Sequence, residues 1–119
     1  MIHSYKKVIS VRFFKTESGK EPVREWLLEL GKEDKRIIGA DIKTVEFGWP
    51  IGMPVCRPLQ GGLYEVRSPL SSNKVARIIF TLEKNEMVLL HAFFKKTRKT
   101  LDADIVLAKK RLRRLNNVK

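Results

Sequence analysis

Apolar and polar positions along this chain change period several times, and each change predicts an element. From Lys7 to Phe14, β-branched and aromatic residues run as Val8-Ile9-Ser10-Val11-Arg12-Phe13-Phe14, the short alternating pattern of a strand. Thr16 to Lys20 reads as a loop. Glu21-Pro22 then opens a helix, with Pro22 at the first position, where a missing N–H costs nothing. Val23, Trp26, Leu27 and Leu30 follow at helical spacing, and Gly31 is expected to end that helix. A second helix is predicted from Asp34 as N-cap, with Ile38, Ile42 and Val45 as its stripe and Gly48 as its stop. The two helices are expected to form a hairpin across one face of a sheet.

Residues 48–58 hold two glycines and three prolines and read as an irregular crossing segment. Leu63 to Arg67 is the second predicted strand, entered through Gly61-Gly62. Lys74 to Leu82 is the third, after a loop from Pro69 to Asn73. Lys84-Asn85-Glu86 is a tight turn, and Met87 to Phe94 is the fourth strand. Its nearly continuous apolar run predicts an interior position in the sheet. A last helix is expected after Thr100 as N-cap, with Asp102 and Asp104 in its first turn, where the dipole favours acids. Leu101, Ile105, Ala108, Leu112 and Leu115 form its stripe. The predicted fold is α+β in the order β-α-α-β-β-β-α, with an antiparallel sheet, and residues 1–119 read as one domain.

Composition narrows the function. No apolar run approaches the roughly 20 residues that span a bilayer, and the first residues read as a strand rather than a secretory signal. Cys56 is the one cysteine, so no internal disulfide can form. These features lead to the expectation of a cytoplasmic protein without membrane contact. Net charge is +12 and unevenly placed. Residues 1–56 carry 10 Lys+Arg and 8 Asp+Glu, net +2, whereas residues 57–119 carry 15 and 5, net +10. The second half is therefore the expected polyanion-binding surface.

The candidate chemistry lies there. Leu63, Glu65 and Arg67 share one strand face by period-2 geometry. If Arg67 and Arg77 point to the same face, they make a fork of two guanidiniums beside Lys95 and Lys96, suited to bidentate phosphate contact. Such a cluster can stabilise the phosphorane formed when an RNA 2′-OH attacks its own phosphorus, with no metal or cofactor needed. A lysine crowded by cations can supply a proton or take one, so Lys96 is the expected general acid and Glu65 or Lys95 the base or orienter. Arg57, Lys74, Arg98 and Lys99 extend the surface as RNA contacts. Each of these residues also has a plainer reading: Arg67 and Arg77 can pair with Glu65 and Glu83, Glu65 can orient an arginine, and the basic run after Phe94 can be a solvated turn. His91, midway along an apolar strand, reads as a core histidine. Metal binding and a Cys56–His91 nucleophile pair have weak support, because neither has partners at ligand spacing.

The run Leu63-Tyr64-Glu65-Val66-Arg67, then Ala76-Arg77-Ile78-Ile79-Phe80, then Leu89-Leu90-His91-Ala92-Phe93-Phe94-Lys95-Lys96-Thr97, then Ala108-Lys109-Lys110-Arg111 resembles the phage-derived Gp49-like group of the RelE/ParE toxin superfamily, which includes HigB-type toxins. The resemblance spans about residues 5 to 114. It implies a type II toxin that cleaves mRNA in the ribosomal A site. It also implies inhibition by a HigA-like helix-turn-helix antitoxin, through which alone operator DNA is reached. Within it, Arg77 falls at the arginine that contacts the scissile phosphate, Arg67 at a basic site position and Lys96 at the basic position after the last strand. Glu65 stands where RelE is basic, and no aromatic residue near Asp102 matches RelE's late tyrosine. A ParE-like gyrase inhibitor and a non-catalytic nucleic-acid-binding protein are the alternative functions.

Overall fold

The computed structural model describes residues 6–71, 73–95 and 102–117. They form β1 (Ser10–Phe13), α1 (Pro22–Leu28), α2 (Lys32–Gly48), β2 (Cys56–Pro58), β3 (Leu63–Pro69), β4 (Val75–Glu83), β5 (Glu86–Phe94) and α3 (Asp102–Asn117). The architecture is α+β, with one five-stranded sheet in the order β1-β5-β4-β3-β2. Helices lie on both faces.

Two differences from the sequence reading concern the sheet. It is mixed, because β1 runs parallel to β5 while every other pair is antiparallel. The irregular crossing segment also ends in a strand. Cys56, Arg57 and Pro58 pair with Val66, Glu65 and Tyr64. Pro58 is tolerated because β2 is an edge strand, where a missing donor costs no ladder bond. The interior position of β5 agrees with its apolar run: it lies between β1 and β4.

Helix boundaries shift for local reasons. Pro22 opens α1 as expected, but the helix closes at Leu28, with the Leu30 N–H donating to the Leu27 carbonyl. Gly31 then serves as N-cap of α2, its carbonyl accepting from the Lys35 N–H, and Asp34 falls within the first turn. The hairpin face of the sheet buries Val23, Ile38, Ile42 and Val45 against Val66, Ile78, Phe80, Met87 and Leu89. Full burial of each such side chain contributes about 1.5–3 kcal/mol. The buried Ser68 hydroxyl donates to the Asp41 carboxylate of α2, tying helix to sheet. Trp26 packs on Phe94, and Trp49 packs edge-on against Tyr64, so both indoles belong to this layer.

On the opposite face, α3 lays Ala108 and Leu115 over Leu63, Ile79, Val88 and Leu90, with Phe14 at the margin. This second layer positions the site, because the α3 helix covers only part of that sheet face.

Candidate functional site

Register decides which charged groups meet. Arg67 of β3 lies directly opposite Arg77 of β4, and Arg57 of β2 directly opposite Glu65 of β3. Directly opposed residues share a sheet face. Leu63 packs under α3, so Glu65 and Arg67, two and four residues on, face the same way. Arg57, Glu65, Arg67 and Arg77 therefore converge on the α3 side of the sheet.

Glu65 lies at the centre, 0% exposed. Its Oε1 accepts from Arg77 Nη1 at 2.8 Å and from Arg57 Nε at 3.0 Å. A buried carboxylate engaged by two guanidiniums suits the orienting role, the plainer of the two readings the sequence offered for Glu65. Arg77 is itself only 2% exposed. Desolvation pushes its guanidinium below the ordinary arginine range, opposed by the charge of Glu65 and reinforced by Arg57 and Arg67. Arg77 is thus a fixed cation beneath the surface rather than an open fork, while Arg57 and Arg67 are partly exposed.

Lys95 joins this group. It follows Phe94, which packs on the hairpin face, so alternation returns Lys95 to the α3 side. Its backbone N–H donates to the Val75 carbonyl at 2.7 Å, extending the sheet by one residue. Partial desolvation and then the charges of Arg77, Arg67 and Arg57 hold its ammonium below the ordinary lysine range, with Glu65 opposing. Lys74 is not brought here. It shares parity with Ala76 and Ile78 on the hairpin face, and its ammonium lies over the Phe94 ring at 5.0 Å from the centroid. Lys74 thus lies apart from this cluster. Lys96, Arg98, Lys99 and the Thr100 cap lie outside the described residues.

His91 departs most from the sequence reading. Along β5, Met87 and Leu89 face the hairpin, whereas Val88 and Leu90 face α3. Strict alternation sends His91 to the hairpin core. Instead Ile79 pairs with His91 and Phe80 with Leu89, which leaves Leu90 as an extra residue in β5. This β-bulge turns His91 to the α3 side as well; bulges re-aim side chains in this way. The Leu90 carbonyl accepts from Arg111 Nη1 of α3 at 2.7 Å. His91 Nε2 lies 2.6 Å from Asp104 Oδ1, and the imidazole stacks on Phe93 with ring centroids 5.2 Å apart. Side-chain exposures of 15% and 16% for the pair replace the expected core histidine. The sequence marks Asp104 only as a helix-dipole acid; no local pattern marks its pairing, because a bulge carries no fixed sequence signature.

Cys56 is buried on the hairpin side, its thiol pushed up to about 11 by desolvation and then by Glu65. With His91 on the other face, the two do not form a nucleophile pair. Among the described residues, no group of three His, Cys, Asp or Glu side chains gathers to hold a metal ion.

The chain is thus an α+β protein whose sheet carries a cluster of cations around a buried acid. The family follows from residues 25–113, which match the model for phage derived protein Gp49-like (DUF891), so the chain belongs to that family. The Gp49-like family is associated with the toxins of toxin–antitoxin systems. No curated protein matches the chain. No helix among the described residues is long and apolar enough to cross a membrane.

Proposed function

We propose that the protein is the toxin of a type II toxin–antitoxin pair and acts as a ribosome-dependent mRNA endoribonuclease. The observation that carries this reading is the cluster on β2, β3, β4 and the end of β5. Arg67 stands opposite Arg77, Lys95 shares their field, and Glu65 holds Arg77 and Arg57 from below. A single phosphodiester laid over Arg67 and Lys95 meets several positive charges whose roots are set by sheet hydrogen bonds. Such preorganised charge stabilises a phosphorane without reorganisation during the reaction.

Burial redistributes the roles. Arg67 and Lys95 contact the phosphate, and Arg77 and Arg57 supply fixed positive potential. The Lys95-Lys96 pair provides the general acid for the leaving 5′-oxygen, with Lys95 suited by its lowered pKa. The ribosome contributes affinity through its RNA phosphates, and a HigA-like helix-turn-helix antitoxin restrains the toxin between uses. Operator DNA is then met only as the antitoxin complex.

Induction of the protein in growing cells, with cleavage sites mapped on translated mRNA, tests the reading. Growth arrest with cleavage inside translated codons is expected from the wild type. Arg67→Ala and Lys95→Ala should each lower cleavage by about 10²-fold or more, the scale of losing one preorganised electrostatic contact. Full toxicity in both variants rejects this site. Inhibited supercoiling with intact mRNA makes the protein a gyrase inhibitor instead.

A further inference from the structure

The endoribonuclease reading leaves one proton without an acceptor. Attack by the 2′-oxygen requires a base, and Glu65 is buried beneath two guanidiniums. We infer that His91, held by Asp104, is that base. The inference rests on the endoribonuclease reading and adds a residue and a proton path to it.

Three observations place His91 there. First, the bulge at Leu90 moves the imidazole from the hairpin core to the face that carries Arg67 and Arg77. Phe93, stacked on the imidazole, pairs directly with Arg77. Second, the Asp104 carboxylate takes the Nε2 side of the ring, which assigns the hydrogen there and leaves Nδ1 as the acceptor. Nδ1 makes no hydrogen bond to the described residues. Third, the charged groups around it fit the task. Asp104 from α3 stabilises an imidazolium once formed, as the acid of a catalytic triad does. Arg77 from β4 and Lys95 from β5 lie on the same sheet face and can receive the phosphate whose 2′-OH the ring would deprotonate. Arg111 from α3 is occupied with the Leu90 carbonyl and holds the bulge.

The same strand sets the geometry. His91, Phe93 and Lys95 follow at alternate positions, about 7 Å apart per pair of residues. A phosphate centred over Phe93 and Arg77 thus has a base on one side and an ammonium on the other, as an in-line displacement needs. The step is balanced. His91 Nδ1 takes the 2′-OH proton, the 2′-oxygen bonds to phosphorus, and the bond from phosphorus to the 5′-oxygen breaks. The 5′-oxygen carries off that electron pair and receives a proton from Lys95. The products are a 2′,3′-cyclic phosphate and a 5′-OH. Asp104 touches no reacting atom and is a positioning residue.

Single-turnover cleavage of mRNA on programmed ribosomes tests this, with co-sedimentation as the binding readout and thermal melting as the folding check. His91→Gln, which keeps a donor for Asp104, should slow cleavage by about 10²–10⁴-fold with ribosome binding unchanged. It should also abolish the acid limb of the pH–rate profile. Asp104→Asn should shift that limb, and Asp104→Glu should largely restore it, so the proposal stays testable if the histidine variant fails to fold. An mRNA with sulfur in place of the 5′-bridging oxygen at the cleavage site provides a leaving group that needs no proton. It should rescue Lys95→Ala and not His91→Gln. Cleavage by His91→Gln within threefold of wild type, or its rescue by sulfur, overturns His91 as base and leaves the endoribonuclease reading standing. A wild type that cleaves no programmed message overturns both.

Discussion

Glu65 carries its charge where no solvent reaches, and that decides what its neighbours can do. Removing it takes from Arg77, which is 2% exposed, the carboxylate oxygen 2.8 Å from its Nη1. Breaking one side of a buried pair costs about 3–5 kcal/mol. Glu65→Gln should therefore lower unfolding stability by that amount in urea melts, while Arg67→Ala, on the partly exposed neighbour, should cost under about 1 kcal/mol. A loss below 1 kcal/mol for Glu65→Gln contradicts the buried pair. The double change Glu65→Leu with Arg77→Met should recover most of the stability, because apolar residues of similar volume can replace such a pair. Much at this scale was legible. Alternation puts Glu65 and Arg67 on one face, whereas the side taken by Lys74 emerges only from its contact with the Phe94 ring. The partner of Glu65 was not legible, since Arg57, Arg67 and Arg77 are all chemically suitable and only register chooses among them.

At the scale of elements, helices followed their stripes closely, and the errors fell at their ends and in short strands. Ile38, Ile42 and Val45 predict the buried face of α2, and all three are buried. Gly39 lies between them on the outer side, where an added Cβ meets nothing within 4 Å. Glycine inside a helix costs about 0.5–1 kcal/mol relative to alanine. Gly39→Ala should raise stability by that amount in thermal or urea unfolding, and a decrease contradicts the open position. β2 is not legible in the sequence because three residues, one of them Pro58, carry too little pattern; it forms because β3 offers an edge for it. The bulge in β5 is hidden for another reason. One extra residue leaves composition untouched, and it is visible only once β4 and α3 supply partners for the strand and for the Leu90 carbonyl.

At the scale of the molecule, charge asymmetry becomes a surface. The net +10 of residues 57–119 is partly gathered on the α3 side of the sheet, where Arg57, Arg67 and Lys95 remain partly exposed. For single-stranded RNA, log K falls against log salt with a slope of about −0.7 for each neutralised phosphate. Three such contacts predict a slope of about −2 or steeper, and a Lys95→Ala variant should be shallower by about 0.7. Binding isotherms over a range of KCl concentrations check both values. The pH dependence has a definite sign. Lys95 loses its proton at lower pH than an ordinary lysine, because desolvation and Arg77 disfavour its charge. RNA affinity should therefore begin to fall with rising pH before ordinary lysines titrate, and that early fall should vanish in Lys95→Ala.

Hydrophobic period and charge content, which are local properties, were enough for the α+β class, the helical hairpin, the interior β5 strand and a basic second half suited to a polyanion. They also singled out Arg67 and Arg77, because alternation is a local rule. Tertiary structure alone decided that Glu65 is a buried anchor, that β1 runs parallel to β5 and that His91 meets Asp104. Each of these depends on register between segments distant in the chain. One bulge in β5 moves a side chain to the opposite face at no change in composition, so the residue that read as core becomes part of the candidate site.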